Sequence, residues 1–212
     1  MSTLDTLRAD LAGDLKNTLL AGNKWEDADL DRAILKATGA LDLSWPNATT
    51  FEFAAAEGVR AYDLTAAGVG EVARLIAVER VECPADQDPR EYVPFEVADT
   101  DAGLQLRLTL ATGPEATDTV RLYVATCHLV DAAGSTIPVH LEPVVLTGAM
   151  GYAALAYAAY AINRVNVSSA TVAQLTDFAE TCLADFRRSL ADLRQRRATV
   201  APSYTTFANY EI

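Results

Sequence analysis

From Pro143 to Asn163 the chain runs for 21 residues without a charged side chain. A stretch of that length and polarity has two physical outcomes: a helix across a bilayer, or a helix enclosed by the rest of the protein. Its composition decides between them. Seven of the 21 residues are alanine and two are glycine, and alanine contributes little insertion free energy beside Leu, Ile or Phe. No basic cluster flanks the stretch to set an orientation. It reads as a buried helix whose small side chains let neighbouring backbones approach closely, and the rest of the sequence must supply its walls.

The walls are legible at both ends of the chain. Leu4, Leu7, Leu11, Leu15 and Leu19 recur at intervals of three or four, one apolar stripe of a helix. Ser2 or Thr3 suits its start, and Gly22 with Asn23 its end. Past Trp25, Asp27 is the expected cap of a second helix, with Asp27 and Asp29 at the positive end of its dipole and Leu30, Ala33, Ile34 and Ala37 on its inner face. Pro46 closes this hairpin. A long helix is expected from Ser169 to Arg196, its buried stripe traced by Val172, Leu175, Phe178, Ala179, Cys182, Phe186, Leu190 and Leu193. Its last turns carry Arg187, Arg188, Arg194, Arg196 and Arg197, which complement the negative end of the dipole. Beyond it, Tyr204, Phe207, Tyr210 and Ile212 punctuate a segment with Pro202 and no helical period, the pattern of an extended docking peptide.

Between the helical ends the period changes to two. Thr49 to Phe53, Val59 to Leu64, Arg74 to Val81, Tyr92 to Val97, Leu104 to Leu110 and Val120 to Leu129 are strand-like runs. Turn signals separate them at Cys83–Asp86, Asp101–Gly103, Thr112–Pro114 and Asp131–Gly134. The expected class is therefore α+β. N- and C-terminal helices (1–46 and 143–197) form one bundle, an antiparallel β sandwich or barrel (47–142) is inserted between them, and 198–212 forms a docking tail.

Composition narrows function chiefly by exclusion. A formal net charge of −12 disfavours general binding to phosphate backbones. Cys83, Cys127 and Cys182 are far apart and lack metal-ligand spacing, so they read as thiols in a reducing compartment. The first ten residues carry acids where a secretion signal carries bases. Gly68-Val69-Gly70-Glu71-Val72-Ala73 matches a dinucleotide-binding fingerprint, but strand-like residues follow it where the motif needs a helix. Asp99-Thr100-Asp101 resembles the start of a calcium loop, with its glycine misplaced and Leu110 where the final glutamate belongs. Asp86 and Asp88 read as a solvated loop pair. His128 and His140 flank the Asp131–Gly134 turn, and with Cys127 or Ser135 they lack the setting of a nucleophile and base; they read as structural histidines of a β hairpin. No catalytic, cofactor-binding or metal-ligating residue is assigned, and no cofactor or membrane is expected.

The layout resembles that of the head-to-tail adaptor (connector) proteins of tailed bacteriophages. Four stretches carry the resemblance: Gly22 to Ala37 with Asp29-Leu30-Asp31-Arg32-Ala33; Phe51 to Leu64, ending Ala61-Tyr62-Asp63-Leu64; Ile137 to Pro143 passing into Gly148-Ala149-Met150-Gly151-Tyr152-Ala153; and the long helix with Phe186 and Leu190 ending in arginines and a tail. Thr65 follows Leu64 where many such proteins have proline. The resemblance implies a non-enzymatic virion protein of the neck, made in the host cytoplasm. It would form a ring of commonly twelve copies beneath the portal protein, pass DNA without sequence specificity, and offer a surface to the next neck or tail protein. It places portal docking on Arg187, Arg188, Arg194, Arg196, Arg197, Tyr204, Phe207, Tyr210 and Ile212. The rival readings are a tail terminator or head-completion protein, and a soluble nucleotide-binding enzyme using the Gly68 loop.

Overall fold

The computed structural model describes residues 2–18, 25–67, 74–101, 103–161 and 169–200. The chain divides into two compact units: a helical unit of Met1–Trp45 with Leu129–Ile212, and a β unit of Pro46–His128.

In the helical unit, α1 (Leu4–Thr18), α2 (Asp27–Asp42), α3 (Glu142–Ala161) and α4 (Ser169–Val200) enclose one core. The period-four leucines act as expected: Leu7, Leu11 and Leu15 are buried on the inner face of α1. On α2 the same holds for Leu30, Ala33, Ile34 and Ala37. Asp27 is not the cap of α2. Glu26 occupies that position in extended conformation and makes no side-chain cap hydrogen bond, which leaves Asp27 in the first helical turn. Arg8 then ties α1 to α2, donating from Nε to Asp31 Oδ1 at 2.6 Å and from Nη2 to Asp31 Oδ2 at 2.8 Å. The fork-to-fork geometry of that pair makes it more specific than a single-point ion pair.

The uncharged stretch becomes α3, and its two glycines explain how α4 packs on it. A Cβ at Gly148 would lie 2.8 Å from the Phe186 ring, and one at Gly151 would lie 2.7 Å from Leu183 Cγ. At these two positions only glycine admits the neighbouring helix. The predicted stripe of α4 is buried at Leu175, Ala179, Cys182, Phe186, Leu190 and Leu193, with Val172 and Phe178 half-buried. Leu183, which the stripe omits, is buried as well, and it is the residue that Gly151 receives.

Residues 129–142, grouped with the β region in the sequence reading, pack with the helices. Val130, Ile137 and Leu141 belong to the helical core, and the Leu4 N–H donates to Asp131 O at 2.9 Å. The Asp131 carboxylate shapes the following turn by accepting from the N–H groups of Ala133 and Gly134. His140 lies in a short 3-10 turn, Val139–Leu141, and not in a hairpin arm, because Pro138 and Pro143 leave no room for a strand there. His128 is buried and His140 is exposed.

The β unit holds two three-stranded antiparallel sheets, and neither closes into a barrel. One has the order β1 (Asn47–Ala54), β6 (Thr119–Thr126), β3 (Leu75–Glu82). The other has the order β2 (Ala61–Asp63), β5 (Gly103–Leu108), β4 (Phe95–Thr100). Side chains of both sheets, including Phe53, Val81, Leu122, Tyr62, Leu106 and Leu108, share one buried cluster. Two runs shift from their expected limits. Strand β4 starts at Phe95 because Pro94 has no N–H for a ladder. Only Ala61–Asp63 of the Val59–Leu64 run pairs. The Asp99–Asp101 run is the tip of the β4–β5 hairpin, where Thr100 Oγ1 donates to Gly103 O at 2.8 Å and Gly103 takes φ 111°.

Candidate docking surfaces and the ionic centre

Five sequence-predicted site residues lie on the last turns of α4. Arg187, Arg188, Arg194 and Arg196 are exposed and Arg197 is half-buried. By the helical repeat of 100° per residue, Arg187 and Arg194 flank one side of the buried Phe186–Leu190–Leu193 seam, Arg196 flanks the other, and Arg188 faces away from it. The structure thus distributes the arginines around the helix instead of gathering them on one strip. Arg188 and Arg194 hold defined side-chain partners. Arg188 Nη1 lies 3.0 Å from Asp185 Oδ1 one turn earlier, and Arg194 Nε donates to the buried Ser44 Oγ at 3.0 Å. Arg194 therefore also joins the end of α4 to the chain leaving α2. Tyr204, Phe207, Tyr210 and Ile212 lie outside the described residues, as does the Gly68–Ala73 motif.

A second surface of the helical unit is one that motif reasoning misses. The last two turns of α3 expose Leu155 (42%) and Tyr160 (55%), with Ala156 and Ala159 exposed between them. Trp25 closes one side: its Nε1 donates to Ala153 O at 3.2 Å, and its ring lies 5.4 Å from that of Tyr157. The Tyr157 ring in turn lies 6.2 Å from that of Tyr160. The result is an aromatic patch on a helix that carries no charged side chain after Glu142 in its first turn. The signal was present in the pair spacing of Leu155, Ala156, Ala159 and Tyr160, but an all-apolar helix gives no contrast by which to read its outer face.

The β unit contains an ionic centre. Antiparallel register places Arg121 of β6 directly between Glu52 of β1 and Glu82 of β3. Arg121 Nε lies 2.6 Å from Glu52 Oε1, Nη1 lies 3.5 Å from Glu82 Oε2, and Nη2 lies 2.7 Å from Asp86 Oδ1. Asp86, read from sequence as a solvated residue, is thus held by an arginine 35 positions away, with its backbone in the left-handed region at φ 66°. Glu82 is fully buried at 0% exposure. Its carboxylate accepts from Tyr123 OH at 2.7 Å and from the Asp86 N–H at 3.0 Å. Burial by itself would push the Glu82 carboxyl up, but those two hydrogen bonds and the charges of Arg121 and Arg90 hold it below its ordinary range. The same hydrogen bond, together with burial, raises Tyr123. One layer along, Arg80 stacks on Tyr123 at 5.0 Å and on Tyr92 at 5.3 Å. Together these groups pin the 83–92 loop to the sheet, with each carboxylate engaged by an arginine or a hydrogen-bond donor.

No protein-family model and no curated protein sequence matches the chain. Among solved structures, it aligns with a chain described as "Neck of empty GTA particle computed with C6 symmetry", at 16% identity and a TM-score of 0.29, covering 79% of this chain and 87% of that one. It also aligns with one described as "Neck of native GTA particle computed with C12 symmetry", at 13% identity and a TM-score of 0.27, covering 79% and 86%. Scores at this level do not establish a shared fold.

Proposed function

We propose that the chain is a structural subunit of a phage-type virion neck, a head-to-tail adaptor that forms a ring beneath the portal and continues the DNA channel toward the tail. The observation that carries this reading is the architecture itself. Helices from the two ends of the chain close on one core, and an antiparallel β unit is inserted between them. That is the layout implied by the resemblance of the four sequence stretches to adaptor proteins. The net charge of −12 suits a wall past which DNA must slide without adhering. The portal contact is assigned to the arginine end of α4, whose distribution around the helix lets it be gripped from more than one side.

The test is electron microscopy of particles produced without this chain. Filled or leaking heads with no attached tails are the expected result, and complete, tailed, infectious particles would overturn the reading. The portal contact is checked separately. The pair Arg187→Glu and Arg188→Glu changes only exposed side chains, so the circular dichroism spectrum should stay unchanged while co-sedimentation with purified portal falls at least tenfold. Undiminished co-sedimentation would remove the arginine end from the portal contact.

A further inference from the structure

The aromatic patch at the end of α3 has a chemically matched occupant within the same chain. Twelve residues follow Val200, and three of them, Tyr204, Phe207 and Tyr210, are aromatic, against 8% in the whole sequence. Only Glu211 among the twelve carries a charged side chain. The patch presents Leu155, Tyr157 and Tyr160 from the uncharged end of α3, with Trp25 beside them. Aromatic side chains gain most when seated against one another away from water, and the one charged side chain of the segment, Glu211, follows all three of its aromatic residues, so it can stay in solvent.

Geometry decides which copy supplies the segment. Gly148 faces Phe186 and Gly151 faces Leu183, so α3 and α4 run antiparallel. Extending that alignment sets Tyr160 about level with residue 174 of α4. Val200 lies about 26 residues further on, or about 39 Å along the helix. Tyr204 is four residues beyond Val200 and reaches at most about 14 Å, and Phe207 at most about 25 Å. Tyr210, at most about 35 Å out, reaches only the near part of the patch, so the segment cannot lay all three aromatic side chains on the patch of its own chain. We propose that the patch formed by Trp25, Leu155, Tyr157 and Tyr160 is the seat of the C-terminal segment, residues 201–212, of a second copy of this chain. Each copy gives one segment and receives one, a heterologous contact that closes into a ring when the rotation per step divides a full turn. The seat deepens the ring reading above and rests on it for the number of copies; the pairwise binding does not.

The binding is tested with a fluorescent peptide of residues 201–212. It is titrated into the full chain carrying Tyr204→Ala, Phe207→Ala and Tyr210→Ala, so that resident segments do not compete. Saturable binding is expected, and it should weaken at least tenfold when Leu155→Asp and Tyr160→Asp are added. Both positions are solvent-exposed, and circular dichroism verifies that the fold is kept. No saturation, or binding indifferent to the two aspartates, overturns the seat; so does a peptide that binds purified portal but not this chain. Mixing full-length copies with an altered patch and copies with an altered segment supplies a second measurement. Such a mixture has one working contact and should stop at dimers in mass photometry, whereas larger species would overturn the proposal. Loss of tails from particles lacking the chain, together with no peptide binding, would remove the seat and leave the neck reading standing.

Discussion

Gly148→Leu is expected to destabilise the helical unit by more than about 3 kcal/mol, the upper part of the range for overpacked cores. In a protein of this size that corresponds to a fall of roughly 6–12 °C in the thermal midpoint followed by circular dichroism at 222 nm. The first carbon of any side chain at this position meets the Phe186 ring at 2.8–2.9 Å. Phe186 is only 1% exposed and has nowhere to turn. It also meets the Tyr152 ring edge-on at 6.3 Å, a pairing that displacement of the ring would break. Gly148→Ala separates the two effects at work. It introduces the same first clash but gains about 1 kcal/mol of helix propensity, so it should fall well short of the leucine variant. Gly151→Leu should resemble Gly148→Leu, because its Cβ meets Leu183 and, at 3.2 Å, the Ala179 carbonyl, which cannot move without disturbing α4. A leucine variant that melts like the unaltered protein would mean that α3 and α4 do not approach as described.

The second large effect is expected in the β unit. Tyr123→Phe removes a hydrogen bond to the fully buried Glu82 carboxylate, and a bond to a charged group of this kind is worth about 1.5–3 kcal/mol. Arg121→Met should cost more than Tyr123→Phe, because three carboxylates, Glu52, Glu82 and Asp86, lose their shared counter-charge. Adding Glu82→Leu to Arg121→Met should recover part of that loss, since a buried charge without its partner is worse than no charge. Chemical denaturation of the four proteins gives the ranking, and a double variant no better than Arg121→Met would refute the account.

The pH dependence of the same centre has a definite sign. Glu82 titrates below its ordinary range in the folded protein, so its contribution is complete above the unfolded carboxyl range and is lost as pH falls through it toward the depressed folded value. Tyr123 titrates above its ordinary range, so its contribution is complete below the unfolded tyrosine range and is lost as pH rises through it into strong alkali. Stability plotted against pH should therefore fall at both ends, and Tyr123→Phe should flatten the alkaline limb.

Much of the molecule was readable from local pattern. The stripes of α1, α2 and α4 predicted the buried Leu7, Leu11, Leu15, Ile34, Phe186 and Leu190 because a helix repeats its face every 3.6 residues, whatever the rest of the chain does. The strand runs were visible for the corresponding reason, the alternation of faces. Local pattern could not show that β6 pairs with both β1 and β3. Nor could it show that a one-to-one register would set Glu52, Arg121 and Glu82 in line across three strands, so Asp86 was read as solvated. The 129–142 segment was assigned by its turn chemistry, when its apolar side chains had a helical core to join. On α3 the pattern was silent about which face stays outside.

What the sequence determined by itself was the set of elements, their inner faces and the arginine-rich end of α4, all of which follow from spacing within a single segment. Tertiary structure alone decided which segments meet: the glycines of α3 against Phe186 and Leu183, the ionic centre, and the aromatic patch beside Trp25. Such meetings depend on closing loops of tens of residues, and the contact energy that selects among closures belongs to pairs of segments and is written in neither one alone.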